Sequence, residues 1–137
     1  MMRGSCLCGA VGYEISSPLV EMHHCHCGNC RKSHGAAFAT YAQVPRSEFR
    51  LTRGGDRMKT FRSSPPCERT FCGDCGSNLQ FLLADVPDFL WIAVASLDDV
   101  PAERPEAHIF VGSKAPWHDI TDGLPRFDAY PPTSESP

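Results

Sequence analysis

The hexapeptide Cys25-His26-Cys27-Gly28-Asn29-Cys30 places three thiols within six residues. Thiolates are soft donors, and a soft divalent metal could take all three without help from the rest of the chain. Two further clusters flank it, Cys6-Leu7-Cys8 and Cys72-Gly73-Asp74-Cys75, so seven of the eight cysteines stand at metal-ligand spacings. In a strand, residues i and i+2 point to one side, so Cys6 and Cys8 could share a metal. A Cys-x-x-Cys turn does the same, and Gly73 and Gly76 suit its tight backbone. Two such pairs make a closed four-sulfur tetrahedron, the usual structural zinc site. Cys6, Cys8, Cys72 and Cys75 are therefore read as one site tying the N-terminal segment to the second half of the chain. The plain alternative is a set of buried free thiols.

Cys25, Cys27 and Cys30 supply three ligands from one short stretch, and three protein ligands with an open position is the pattern of a catalytic zinc. A fourth ligand from elsewhere would close it, and Cys67, His23, His24, His26 and His34 are the candidates. If the segment is extended, His23 shares a side with Cys25 and Cys27, whereas His24 and His26 point away. Cys67 is a lone thiol on an expected strand. Spacing alone leaves other pairings of the clusters open. Three thiolates around Zn²⁺ leave a net charge of about −1, which weakens the ion as an acid toward water. An incoming thiol would still be ionised there, since a coordinated thiol loses its proton. An open three-cysteine site thus suits a thiol nucleophile held beside an electrophile. His26, His24 or solvent are candidates for moving the proton of such a reaction.

The chain has 137 residues, 42% hydrophobic and 21% charged, a balance that suits one soluble globular domain. A formal net charge of −3 argues against a general nucleic-acid binder. Met1–Ala10 carry no apolar run, and the most apolar window, Phe81–Ser96, is broken by Asp85, Pro87 and Asp88. Neither a signal peptide nor a membrane span is expected, and the expected location is cytoplasmic. In that compartment clustered cysteines point to metal before disulfides. Arg46, Arg50, Arg53, Arg57, Lys59 and Arg62 face only Glu48 and Asp56 within their stretch. Such a patch could meet carboxylates on a small thiol, though a solvated strand face is the simpler reading. Trp117 and Phe127 suit core or pocket equally, and His118 has no visible partner.

The elements that must position these cysteines are mostly strands. Pro and Gly punctuate the chain, and no long window shows helical periodicity. Short alternating runs recur at Val11–Ile15, Phe38–Ala42, Met58–Phe61, Leu79–Phe81, Trp91–Ala95 and His108–Val111, which predicts a mainly β fold. One zinc-binding domain over residues 1–130 is expected. Residues 131–137 are read as a disordered tail.

The ordered motifs also resemble a known family. They are Gly4-Ser5-Cys6-Leu7-Cys8-Gly9-Ala10-Val11, Cys25-His26-Cys27 through Cys30-Arg31-Lys32, Arg69-Thr70-Phe71-Cys72 through Cys75-Gly76-Ser77, His108-Ile109-Phe110-Val111, and Ser113-Lys114-Ala115-Pro116-Trp117. Together they resemble the glutathione-dependent formaldehyde-activating enzyme family, which also includes centromere protein V. The resemblance runs from residue 4 to about residue 130, and Cys67 lies outside its pattern. It implies a β-tent fold of antiparallel sheets stapled by zinc. It also implies a structural zinc on Cys6, Cys8, Cys72 and Cys75, and a catalytic-type zinc on Cys25, Cys27 and Cys30. The implied activity is carbon–sulfur lyase chemistry, interconverting S-hydroxymethylglutathione with glutathione and formaldehyde.

Two zinc ions per chain are therefore expected, and two functional readings follow. One is an enzyme joining or cleaving a C–S bond between a glutathione-like thiol and a small aldehyde, with neither nucleic acid nor membrane as partner. The other is a non-catalytic, zinc-stabilised binding module. An open metal site in a cleft favours the first, and a closed site under a flat surface favours the second.

Overall fold

The computed structural model describes residues 1–131; the expected tail lies outside the described residues from position 132 onward. Ten strands and one short helix follow in order: β1 (Met2–Ser5), β2 (Gly12–Ile15), β3 (Val20–Cys25), α1 (Gly28–His34), β4 (Ala39–Pro45), β5 (Phe49–Arg53), β6 (Met58–Ser64), β7 (Cys67–Cys72), β8 (Asn78–Leu83), β9 (Phe89–Ala93) and β10 (Ala107–Ile109). They form a three-stranded sheet, β1-β2-β5, and a seven-stranded sheet, β10-β3-β4-β9-β8-β7-β6. Pairing is antiparallel except where β10 runs parallel to β3. The mainly β, antiparallel expectation holds. Among the described residues no helix is long and apolar enough to cross a membrane.

The period of two sorts the large sheet into two faces. On β4 and β9, Ala42, Val44, Leu90 and Ile92 pack with Val11, Tyr13 and Ile15 in the main core. Tyr13, from the small sheet, stacks on Phe49 at 5.1 Å and hydrogen-bonds the Ser96 hydroxyl at 2.5 Å. The intervening residues Ala39, Tyr41 and Ala93 turn the other way and join Cys25, Cys30 and Ile109 in a second cluster. The large sheet therefore carries the core on one face and the three-cysteine stretch on the other.

Several elements depart from the sequence expectations. Cys6 and Cys8 sit in a turn after β1, not in a strand. There the Gly9 N–H bonds Cys6 O at 3.0 Å and the Cys6 N–H bonds Val11 O at 3.1 Å. The helix was invisible to periodicity because it spans only seven residues. Its N-cap is Cys27, whose sulfur accepts from the Cys30 N–H, in place of the usual Ser, Thr, Asp or Asn. Gly35, left-handed at the C-terminal end, and the basic last turn with Arg31, Lys32 and His34 are ordinary stop signals. β5 alternates little because it is a largely exposed edge strand.

The segment Arg53–Arg57 braces both flanking cysteine turns. The Arg53 Nε–H donates to Gly9 O at 2.8 Å, and the Gly73 N–H donates to Arg57 O at 2.8 Å. Arg57 also pairs with Asp74. Between them Gly54 takes φ +76, and a Cβ there would meet Ala10 O at 2.0 Å. Gly54→Ala should therefore cost about 1–3 kcal/mol, seen as a lower urea midpoint at unchanged slope. An unchanged midpoint would show that this corner is not a brace.

Candidate metal centres

Two turns, at residues 6–10 and 72–77, bring Cys6, Cys8, Cys72 and Cys75 together with all four sulfurs within 4.8 Å of one another. Sulfurs held about 2.3 Å from a central zinc form a tetrahedron with edges of about 3.8 Å. The Cys6–Cys8 and Cys8–Cys72 sulfurs lie 3.7 and 3.8 Å apart. Backbone N–H groups point at these sulfurs, from Val11 to Cys6 at 3.2 Å and from Asp74 to Cys72 at 3.3 Å. Such donors favour thiolate over thiol. The Ser77 hydroxyl, 3.3 Å away, and then the Ser77 backbone N–H pull Cys75 down to about 5. Ser77 also accepts from the Leu7 N–H at 2.9 Å, which joins the two turns directly. The donor set and spacing fit a closed four-thiolate metal site.

The second group is built differently. Cys25 ends β3, Cys27 caps α1, and Cys30 lies in the first turn of α1. A strand end followed at once by a helix start folds three nearby residues around one point. Their sulfurs lie within 4.8 Å of one another, and no further cysteine, histidine or carboxylate among the described residues joins them. Hydrogen bonds from Cys25 and Cys30 pull Cys27 well below the ordinary thiol range. The same thiol contacts, with burial, push Cys25 up. The cluster thus concentrates an ionised sulfur at Cys27, and its donor set fits a soft divalent metal.

These three cysteines line a cavity of about 720 Å³. Its floor is the second face of the large sheet, with Tyr41, Phe81 and Trp91 among its walls. Phe81 stacks flat on Trp91 at 4.9 Å and meets Tyr41 edge-on at 4.6 Å. Arg69, from β7, also faces this space and is only 7% exposed. Its guanidinium donates to Ser63 Oγ at 3.0 Å, approaches Tyr41 Oη at 3.5 Å and Cys30 Sγ at 3.6 Å, and stacks over Phe81. No carboxylate pairs with it among the described residues. The cysteine cluster, through Cys30 Sγ, is the partner that its charge has instead.

The residues offered as a fourth ligand fall elsewhere. Cys67 and His23 line the cavity, yet both stand outside the three-sulfur group. His34 bonds the Tyr41 hydroxyl at 2.7 Å, and His24 bonds Thr40 Oγ1 at 2.7 Å. His26 is fully buried and packs with Phe38 and His108, so neither it nor His24 lines the cavity. Both are thereby removed as proton carriers for chemistry in that space.

A chain of polar groups missed in the sequence starts at His26. His26 Nε2 lies 2.8 Å from His108 Nδ1, and His108 Nε2 lies 3.0 Å from Asp122. The Asp122 carboxylate is held low by this contact, so it accepts, and His108 Nε2 donates. One proton joins the two rings, and His26 Nε2–H donating to His108 Nδ1 leaves the buried His26 Nδ1 as an unpartnered acceptor instead of an unpartnered N–H. Burial, then the His108 ring, pull His26 down to about 4, so it stays neutral. Through this chain the loop between Cys25 and Cys27 is fastened to β10. His108 was visible only as part of a motif, because its partner Asp122 comes from an irregular stretch.

The basic stretch Arg46–Arg62 does not face the cavity. Arg50 pairs with Glu14 at 2.5 Å, Arg62 with Glu68 at 3.5 Å, and Arg46 bonds Pro87 O. It is the solvated strand face of the simpler reading. Phe127 packs against the three-cysteine cluster, while Trp117 is 72% exposed and belongs to neither core nor cavity.

Comparison with known proteins agrees with the sequence motifs. A family model described as glutathione-dependent formaldehyde-activating enzyme matches residues 1–113. The chain belongs to this family. A Halomonas elongata protein whose name proposes that activity is 25% identical over 127 residues, which cover 88% of this chain and 81% of the relative. A Phaeosphaeria nodorum protein with the same proposed activity is 32% identical over 113 residues, covering 79% of this chain and 58% of the relative. A similar Podospora anserina protein is matched over only 36% of its length. The chain thus spans 36% to 58% of the length of these longer fungal relatives. The crystal structure of a Rhodobacter sphaeroides protein shares the fold with a TM-score of 0.63 and 26% identity, covering 76% of this chain and 98% of that one.

The two groups should behave differently on mutation. Cys72→Ser should remove one metal ion per chain and cost more than about 3 kcal/mol, because metal binding at a structural site is part of the folding energy. Cys27→Ser should also remove one ion but leave a cooperatively folded protein. Elemental analysis with thermal melts checks both, and equal destabilisation would make both groups structural.

Proposed function

We propose that this family member is a zinc-dependent enzyme of the carbon–sulfur lyase type, forming or cleaving the adduct of a thiol and a small aldehyde. Cys25, Cys27 and Cys30 would hold the catalytic zinc, and Cys6, Cys8, Cys72 and Cys75 a structural one. The observation carrying this reading is that three clustered sulfurs open onto a cavity of about 720 Å³. A purely structural module would be expected to seal them beneath a flat surface. Family membership supports the same chemistry, with glutathione and formaldehyde as the namesake pair.

Zinc bound at the three sulfurs would supply a soft acceptor that keeps an incoming thiol ionised at neutral pH. The chain's own groups do the rest. Cys30 and Cys27 set where the reacting sulfur sits, and Tyr41, Phe81 and Trp91 exclude water around it. Arg69 offers N–H donors beside Cys30, where negative charge would develop on the aldehyde oxygen. In the forward direction a C–S bond forms, the carbonyl π bond breaks, and the thiol proton ends on the new hydroxyl oxygen. With His24 and His26 outside the cavity, solvent is the remaining one of the three expected carriers of that proton.

Cobalt substituted for zinc gives a direct readout, since the sulfur-to-metal charge-transfer band reports thiolate number. Adding a small thiol should raise the band in the wild type and not in Cys27→Ser. The wild type should also speed the exchange between a small thiol, formaldehyde and their adduct, followed by NMR. Arg69→Met should slow that exchange about 100-fold, in the range for loss of one donor to a developing oxyanion. A band indifferent to every thiol would move the protein to the binding-module reading.

A further inference from the structure

The walls of the cavity do not match glutathione. At neutral pH that tripeptide carries two carboxylates and one ammonium, with both carboxylates several bonds from the sulfur. A cavity built for it needs cations placed far from the cysteines. Among the described residues Arg69 is the one Arg or Lys lining the space, and it stands 3.6 Å from Cys30 Sγ, at the sulfur end. The rest of the lining is mostly apolar, with Leu83, Val86, Phe89, Trp91 and Phe110, and its polar members His23, Asn29, Gln43 and Ser64 add no Arg or Lys. The other charged lining residue, Glu21, is a carboxylate and would repel a second one. The nearby arginines cannot supply the missing charge, because Arg46, Arg50 and Arg62 are engaged outside the cavity. A carboxylate moved from water onto such walls without a partner is strongly disfavoured.

Resting on the thiol-addition reading above, we propose that the thiol partner of this protein is an apolar one, an aryl or arylalkyl thiol without carboxylates. Its sulfur would meet the three-cysteine group. Its ring would lie against the Phe81–Trp91 pair, whose planes are 2° from parallel. Flat aromatic walls reward an aromatic guest beyond the area that it buries. Arg69 serves the reacting oxygen in this arrangement, not the body of the thiol. The bond changes are those already given: thiol sulfur to carbonyl carbon, thiol proton to carbonyl oxygen.

The test is a set of affinities read from the charge-transfer band of the cobalt-loaded full chain. Benzyl mercaptan, glutathione and 2-mercaptoethanol are titrated in turn. Benzyl mercaptan should bind at least about tenfold more tightly than glutathione. Trp91→Gln should weaken benzyl mercaptan by more than it weakens 2-mercaptoethanol. Val86→Lys, in the loop between β8 and β9, adds a second cation to the lining and should narrow the gap by improving glutathione and weakening benzyl mercaptan. Glutathione binding as tightly as benzyl mercaptan in the wild type overturns the apolar assignment while leaving thiol addition intact. So does a Val86→Lys variant that binds metal normally yet leaves the gap unchanged. A band that responds to none of the three thiols overturns the thiol-addition reading itself.

Discussion

The sulfurs of Cys8 and Cys72 lie 3.8 Å apart although 64 positions separate them in the chain. Closing so long a loop costs conformational entropy, and a metal shared there would offset that cost much as a cross-link does. Most of the fold is enclosed by this closure. β2 to β7 lie between the two turns, including the strand–helix junction that carries the other three cysteines. The brace at Arg53–Arg57 makes the closure rigid, because one short segment hydrogen-bonds both turns.

Once the loop is closed, the large sheet has a fixed face toward the small sheet and a fixed face away from it. The alternation along β4 and β9 then assigns each side chain. Ala42 and Ile92 go to the core, and Tyr41 and Trp91 go to the cavity. A one-residue slip would exchange the two sets, so the cavity wall is specified by the same register that builds the core. The structural and reactive halves of the molecule share one sheet and cannot be altered independently.

Charge in the cavity follows the same economy. A buried guanidinium normally needs a carboxylate, and Arg69 has the cysteine cluster in its place. The histidines next to the cysteines in sequence are spent on the opposite side. His26 and His108 connect the ligand loop to Asp122 and contribute position to the site. The result is a sulfur-rich end with one cation, facing walls that are mostly apolar.

Residue type and short-range spacing determined the metal-ligand spacing of the cysteine clusters. Three thiols in six residues, and two close pairs elsewhere, are local facts that survive any tertiary arrangement. Alternation likewise made the mainly β class legible, together with the side that His23 shares with Cys25 and Cys27. Only the tertiary structure decided the rest, because it depends on contacts between distant positions. A strand for Cys6 and Cys8 was the wrong reading of a Cys-x-Cys that is really a turn, held by Val11 and Ser77. The helix at Gly28–His34 is too short to show a period, and its cap is a sulfur. That Cys67 lines the cavity without joining the cluster is a matter of how β7 packs, and no spacing encodes it. The same holds for the apolar walls, which come from β8, β9 and the loops beside them and face one another only after the sheet has formed.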